Sequence, residues 1–147
     1  MLRPNLLVIR VASLDVAEAF YRDALGLPLV RHRHGSGPEH CALEAPGFTF
    51  ELYPLGPKDV PTTSVRLGFA VPRLPPVDAA TLAAGDAPPA MSSDVDDGAE
   101  TMRLLCERVA AAGGSVASLP RMSEWGLRAV CRDPDGHAIE LVLPPPA

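Results

Sequence analysis

A strand with one apolar face and one glutamate is predicted near the end of the first half of the chain. Large apolar and other side chains alternate along FTFELYP (residues 48–54). This period of two is typical of a β-strand, so Glu51 is predicted to point away from Phe50 and Leu52. The strand therefore presents its carboxylate on the face opposite to its core residues.

The same arrangement returns near the C-terminus. The segment AIELVLP (residues 138–144) again holds one glutamate, Glu140, in an apolar strand that ends at a proline. An Ala/Gly helix ending lies upstream of each strand. Gly26 precedes Glu51 by 25 residues, and Gly113 precedes Glu140 by 27. Such self-similarity predicts a duplicated unit.

The first half predicts the order strand, helix and three strands. Apolar residues recur at helical spacing over residues 14–24, after Ser13 as N-cap and before Gly26 as the stop. Segments rich in branched apolar side chains, separated by Gly/Pro turns, predict the strands. These strands are expected at residues 5–11, 27–34, 39–45 and 48–54.

The second half begins after a Pro/Gly connector at residues 55–63, with a strand predicted at 64–71. Residues 72–93 hold five prolines and predict a long excursion with one short helical turn. The remaining strands are predicted at residues 115–118, 126–132 and 137–143, the last two joined by a turn at 133–136.

A helix over residues 98–112 is predicted before those strands, capped by Asp94, Asp96 or Asp97 and stopped by Gly113. Apolar side chains at i, i+3 and i+4 spacing form its predicted buried stripe. The stripe consists of Met102, Leu105, Cys106 and Val109.

Composition limits the class of protein. A chain of 147 residues fits one domain, and no apolar run reaches the roughly 20 residues of a membrane helix. The N-terminal residues lack the pattern of a secretion signal, so a cytoplasmic location is expected. Cys41, Cys106 and Cys131 lack CxxC spacing and are predicted to be reduced and buried. A net charge of −5 with scattered arginines argues against nucleic acid and favours small-molecule partners.

The element order, with AFYRDALGL (residues 19–27) and DPDGHAIEL (residues 133–141), resembles the vicinal oxygen chelate superfamily. This superfamily includes glyoxalase I, bleomycin-resistance proteins, fosfomycin-resistance enzymes and extradiol dioxygenases. The resemblance implies an α+β fold of two βαβββ modules that form a curved mixed sheet around a cavity, and it implies a homodimer.

The modules are expected within a single domain spanning residues 1–147. The first βαβββ module is expected at residues 4–55, and the second at 64–144 with an insertion at 72–93.

In metal-dependent members of the superfamily, the resemblance implies four ligands from the first and fourth strands of the modules. Glu51 and Glu140 match the two carboxylate positions, whereas an ungapped alignment puts Leu6 and Arg66 at the other two. Leucine has no lone pair and a guanidinium repels a cation, so no metal is expected at the usual site and no cofactor is expected. Arg66 is predicted instead to point inward and to pair with Glu51, Glu140 or both. A divalent metal held by Glu51, Glu140 and His40 is the alternative.

Further candidates surround the Glu51 strand. Thr49 and Tyr53 share its face, and such a wall suits proton transfer or ligand orientation. Three of the four histidines lie within residues 32–40 and could bind zinc or act as acid and base, although a solvated turn explains them equally well. Of these three, His40 is expected to face the cavity.

Four other side chains receive an interpretation from sequence. Trp125, the single tryptophan, precedes a strand and is predicted to contact the ligand at the rim of the cavity. Arg10 and Arg128 could attract an anionic ligand, but exposed strand ends carry charged residues in any case, and this second interpretation is preferred for both. His137, just after a turn, is expected at the surface.

These features favour a protein that binds a small polar or aromatic molecule without a metal at the usual site. One alternative is a metal-dependent lyase that resembles glyoxalase I (the lactoylglutathione lyase class), or a related dioxygenase or transferase. In an enzyme, Glu51 and Glu140 are the predicted catalytic groups. Another alternative is a drug-sequestering resistance protein, whose acidic cavity wall would suit a cationic drug.

Overall fold

A computed structural model describes residues 1–72 and 96–145 and shows two open, curved, four-stranded mixed sheets of the α+β class, as predicted. The strands are β1 (Leu6–Val11), β2 (Val30–His32), β3 (His40–Ala45), β4 (Phe48–Pro54), β5 (Arg66–Ala70), β6 (Ser115–Ser123), β7 (Gly126–Arg132) and β8 (Ala138–Leu143).

The two sheets have the same topology. The first has the order β1-β4-β3-β2 and the second the order β5-β8-β7-β6. In each sheet the outer pair, β1 with β4 or β5 with β8, is parallel, and the other pairs are antiparallel. The repeated order agrees with a duplicated unit, and β4 and β8 are the strands that carry Glu51 and Glu140.

The first helix, α1 (Leu14–Ala19), begins where predicted, because the Ser13 hydroxyl accepts a hydrogen bond from the Val16 backbone N–H. It continues as a π-helical segment, Phe20–Ala24. Gly26 follows with φ +73°, a left-handed conformation that glycine adopts without strain and that ends the helix.

The second helix, α2 (Asp96–Ala111), starts two residues earlier than predicted. Its predicted stripe is buried and packs on the second sheet, because every third or fourth residue faces the strands. The excursion predicted at residues 72–93 lies outside the described residues from 73 onward. In the part of the chain that the structure describes, no helix has the length and apolar character needed to cross a membrane.

β6 and β2 depart most from the predicted strand boundaries. β6 extends to Ser123 rather than ending at 118, although it contains Pro120. An edge strand tolerates proline because one row of its N–H groups has no partner strand, and β6 is the edge of the second sheet. β2 covers three residues instead of the predicted 27–34.

A buried polar network joins the two halves of the chain. Asp133 Oδ2 accepts a hydrogen bond from the Tyr21 hydroxyl at 2.9 Å and lies 2.8 Å from His137 Nδ1. His137 Nε2 in turn lies 3.1 Å from the Thr62 hydroxyl, so the network runs from the π-helical segment through the β7–β8 turn to the connector. Burial, together with the Asp133 charge, raises the pKa of the Tyr21 phenol. The expectation that His137 lies at the surface is therefore wrong, since its side chain is fully buried.

The three cysteines are free and buried, as predicted. Burial, with a smaller contribution from neighbouring Cys106, raises the pKa of Cys131 from 9.0 to about 12. We therefore expect the native protein to react only slowly with a thiol-specific disulfide reagent near neutral pH, because the nucleophile is the thiolate.

The same pKa shift predicts a loss of stability at alkaline pH. The folded state favours the thiol form of Cys131. Its contribution to the free energy of unfolding is therefore complete below the ordinary pKa of 9.0 and is lost as pH rises toward 12. Urea unfolding measured across this window tests the prediction, with Cys131→Ala as the comparison that should flatten the slope. Rapid, complete thiol labelling of the folded protein near neutral pH would contradict the raised thiol pKa from which both predictions follow.

Candidate functional site

The open face of the first sheet carries the predicted residues of β4. Thr49, Glu51 and Tyr53 are half-buried on this face, whereas Phe50 and Leu52 are buried on the other. The predicted alternation is thus confirmed. Within the described part of the chain, no side chain forms a hydrogen bond or ion pair with Glu51, so its carboxylate is available to a ligand.

A row of four side chains crosses this face beside Glu51, one from each strand. Arg10 of β1 is paired in register with Tyr53 of β4, and its guanidinium carbon lies 5.2 Å from the centre of the Tyr53 ring. The Tyr53 ring stacks on His40 with 4.4 Å between ring centres, and His40 is paired in register with His32 of β2. His40 therefore lies on the Glu51 face, as expected, but its side chain is buried under its neighbours.

The histidines of residues 32–40 form a cluster at the end of this row. The ring centres of His34 and His40 are 5.1 Å apart, and those of His32 and His40 are 5.9 Å apart. Among the described residues, however, no group of three or more His, Cys, Asp or Glu side chains is arranged to hold a metal ion. The set Glu51, Glu140 and His40 thus does not form a metal site in this conformation.

Glu140, on the open face of the second sheet, is held by two arginines. Arg128 donates through Nε to Oε1 at 2.6 Å and through Nη2 to Oε2 at 3.0 Å, a two-point contact between planar groups. Arg66 Nη1 lies 3.5 Å from Oε2 of the same carboxylate. The hydrogen bond from Arg128 lowers the pKa of Glu140, and the same contact raises the pKa of Arg128.

The predicted pairing of Arg66 with Glu140 is therefore confirmed, but its predicted inward burial is wrong. Its side chain is 63% exposed, whereas that of Arg128 is 18% exposed. The interpretation of Arg128 as a surface strand end is also wrong. The β7–β8 turn sets Val130 opposite Glu140, and this register puts Arg128 diagonally across from the carboxylate. The length of that turn was the signal that could have identified Arg128 from sequence.

Strand pairing places the two glutamates at equivalent positions of their sheets. Val8 is the register partner of Glu51 in β1, and Gly68 is the partner of Glu140 in β5. By the same correspondence Leu6 is equivalent to Arg66, which agrees with the ungapped alignment.

The basic side chains beside the glutamates are equivalent as well. His40 occupies in the first sheet the position that Arg128 occupies in the second, and His32 corresponds to Arg121. The two halves therefore place different basic groups beside equivalent carboxylates.

Of the remaining candidates, Trp125 lies away from these contacts, whereas Arg10 belongs to the row on the first sheet. Trp125 is in the turn between β6 and β7 and is 59% exposed, so a rim position fits the geometry while its contact with a ligand stays a prediction. Arg10 contacts the Pro54 carbonyl oxygen at 3.2 Å and Asp59 at 3.8 Å, and is thus only partly exposed.

A cavity of about 380 Å³ lies on the helix side of the second sheet, between the end of the first helix and α2. Leu27, Phe69, Leu105 and Leu141 contribute to its wall. Glu51 and Glu140 do not line this cavity, because they point to the opposite faces of their sheets.

The different exposure of the two arginines predicts different effects of removing them. We expect Arg128→Met to lower the urea midpoint clearly, since it leaves Glu140 without its two-point partner. Arg66→Met should change the midpoint little, because an exposed ion pair contributes only about 0–1 kcal/mol. Adding Glu140→Gln to Arg128→Met should recover much of the loss.

Acid provides a second test of this pair. The pKa of Glu140 in the folded protein is lowered from 4.5. The stabilisation from its pair with Arg128 is therefore complete above pH 4.5 and is lost as pH falls through the lowered pKa of the folded state. The difference between wild type and Arg128→Met should therefore shrink in acid. Equal urea midpoints for Arg128→Met and Arg66→Met would contradict the assignment of Arg128 as the main partner of Glu140.

Comparison with known proteins is consistent with this geometry. The family model described as Glyoxalase/Bleomycin resistance protein/Dioxygenase superfamily matches residues 3–141. A search of curated protein sequences found no significant match.

Several solved structures share the fold. A glyoxalase-related enzyme from Fulvimarina pelagi is 20% identical with a TM-score of 0.66, over 97% of this chain and 88% of that one. A glyoxalase/bleomycin resistance protein from Albidiferax ferrireducens is 21% identical with a TM-score of 0.62, over 96% and 98% of the two chains. TnmS3, an antibiotic binding protein from a Streptomyces species, is 22% identical with a TM-score of 0.61, over 99% and 98%. At these identities the likeness establishes the fold.

Proposed function

Because the chain belongs to the Glyoxalase/Bleomycin resistance protein/Dioxygenase superfamily, we propose that it binds a small polar or aromatic molecule on the open faces of its curved sheets, without a divalent metal at the usual four-ligand position. The observation that carries this proposal is the two-point contact between Arg128 and Glu140. One of the two carboxylates that could ligate a metal is already paired with a permanent cation.

The residues at the usual metal position do not fit a metal ion. Leu6 offers no lone pair, and Arg66 adds a second positive charge next to Glu140. A divalent cation at Glu140 would have to displace Arg128 and would leave two guanidinium groups beside it. Electrostatic repulsion therefore opposes metal binding at this position.

Glu51 is the carboxylate that we assign to ligand contact. It is half-buried, lies between Thr49 and Tyr53 on one face, and is unpaired among the described residues. A carboxylate in such a setting accepts hydrogen bonds from ligand N–H or O–H groups, and Thr49 and Tyr53 add hydroxyl groups to the same wall. If the protein also catalyses a reaction, Glu51 is the group positioned to move a proton, while Glu140 is engaged by arginine.

Sequestration of a drug is the more specific form of this proposal. It is supported by the likeness to TnmS3, whose fold serves antibiotic binding. Binding of this kind needs a suitable face and no reactive group. A homodimer and a cytoplasmic location stay predictions.

Metal analysis and a ligand screen test the proposed function. We expect the purified protein to hold no stoichiometric zinc, nickel, iron or manganese, and a small-molecule library to contain ligands that change Trp125 fluorescence. Glu51→Gln should weaken a ligand that donates hydrogen bonds by about tenfold or more, since a hydrogen bond to a charged group contributes about 1.5–3 kcal/mol.

Glu44→Gln is the matched control for this test. Glu44 is on β3, on the same face of the sheet as Glu51, but it is exposed. Ligand affinity should therefore be unchanged in this variant. One metal ion per chain that is lost in Glu51→Gln would instead support the metal-dependent lyase or dioxygenase.

A further inference from the structure

The open face of the second sheet carries more positive charge than its carboxylates balance. Arg121 of β6 and Arg128 of β7 are register partners on adjacent antiparallel strands, so their side chains lie on the same side of the sheet. Arg66 of β5 lies on the same face, since its Nη1 atom is 3.5 Å from Oε2 of Glu140. Among the described residues, Glu140 is the one carboxylate that pairs with any of these three arginines.

This arrangement is unfavourable without a further negative charge. Like charges directly opposite each other on neighbouring strands destabilise a sheet. The single charge of Glu140 is shared between Arg128 and Arg66, and Arg121 forms no ion pair with any described residue. One anionic group bound between the arginines would remove this repulsion.

Arg128 is also fixed in a conformation suited to such a group. Glu140 engages its Nε and Nη2 atoms, which leaves the N–H groups of Nη1 without a described acceptor. A guanidinium held at one edge loses little side-chain entropy when its other nitrogen donates to a ligand. Glu140 thus acts as a positioning residue for Arg128.

The first sheet lacks this excess of permanent positive charge. The equivalent positions of Arg121 and Arg128 are filled there by His32 and His40. Arg10, on the same row, has Asp59 at 3.8 Å as a counter-charge. The imbalance is therefore specific to the second sheet.

We propose that Arg66, Arg121 and Arg128 form a subsite for an anionic oxygen group, a carboxylate or a phosphate, of the small molecule that the protein binds. The inference rests on the proposed function and names the chemical class of its ligand. Arginine forks match the planar oxygen pairs of carboxylates and the oxygen faces of phosphates, so three arginines on one sheet face suit such a group.

Titration of the 147-residue chain with inorganic phosphate and, separately, with succinate tests the subsite. Trp125 lies in the turn between the strands of Arg121 and Arg128, so its fluorescence reports on this face, and calorimetry gives an independent affinity. Sodium chloride keeps the ionic strength constant, so a saturable response separates binding from screening. The probe that saturates identifies the group as phosphate or carboxylate.

Arg121→Met is the decisive variant, because Arg121 is exposed and its removal breaks no described ion pair. We expect it to weaken the saturating probe by about tenfold or more, and Arg128→Met to do the same. Arg33→Met removes an exposed arginine from the first half, where it pairs with Glu39, and should leave the affinity unchanged.

Two results would overturn the subsite. One is the absence of a saturable response to either probe in the wild type. The other is equal affinity in wild type, Arg121→Met and Arg33→Met. A neutral aromatic ligand that binds wild type and Arg121→Met equally, together with either result, would leave the proposed small-molecule function standing and remove the anion subsite alone.

Discussion

Replacement of Asp133 by asparagine is expected to lower the free energy of unfolding by roughly 3–5 kcal/mol, the usual cost of removing one partner from a buried charged contact. Asp133 is buried and accepts from four donors. Its Oδ2 atom faces the Tyr21 hydroxyl and His137 Nδ1, and its Oδ1 atom accepts from the backbone N–H groups of Asp135 and His137. In the variant, the asparagine amide nitrogen would replace one of these oxygens and put a hydrogen-bond donor opposite other donors.

Urea unfolding followed through Trp125 fluorescence measures this effect. Asp135→Asn is the matched control in the same turn. Asp135 accepts one hydrogen bond, from the Ala12 N–H at 2.9 Å, and an asparagine oxygen can replace that acceptor. The control should therefore lose less than about 1 kcal/mol. Similar midpoints for Asp133→Asn and Asp135→Asn would show that the buried network contributes little.

Gly126→Ala is expected to have the second largest effect, because two separate costs coincide at this position. Gly126 has φ +112°, a conformation that costs an L-residue about 1–3 kcal/mol. A Cβ atom there would overlap the Leu143 carbonyl oxygen and lie 3.0 Å from Pro144 Cα. Backbone cannot move aside as a side chain can, so overpacking adds a further cost of about 1–3 kcal/mol.

Gly35→Ala is the control that lacks the overlap. Gly35 also has a positive φ, +56°, but a Cβ atom would meet nothing within 4 Å. Because +56° lies in the left-handed region that L-residues can adopt, Gly35→Ala should have a smaller conformational cost and no overlap, so its urea midpoint should fall less than that of Gly126→Ala. If the order of the two midpoints were reversed, the close approach of β7 to Leu143 would not be the source of the effect.

Local patterns predicted the features that depend on one segment at a time. The alternation around Glu51 and the buried stripe of α2 follow from periods of two and of about 3.6 residues, which neighbouring residues alone determine. Ser13 as a cap and Gly26 as a stop also act within a few residues of the helix that they limit. The resemblance to a family then supplied the way in which these segments assemble.

Features that depend on contacts between distant segments were missed or misjudged. Tyr21 and Asp133, which fix the buried position of His137, are 112 residues apart in sequence. The role of Arg128 depends on the register of two strands, which the sequence indicates only indirectly, through the length of the turn between them. Arg66 is exposed while Arg128 makes the closer contact with Glu140, an arrangement that no pattern around Arg66 indicates.

The buried polar network also bears on how the protein unfolds. Its members are Tyr21, Thr62, Asp133 and His137. Two of its members belong to the first half of the chain and two to the second, and all four meet at one buried carboxylate or at its histidine partner. Separation of the halves would expose polar groups and core side chains in the same step. We therefore expect the two halves to unfold as one cooperative unit, with neither half persisting as a folded intermediate when the other unfolds.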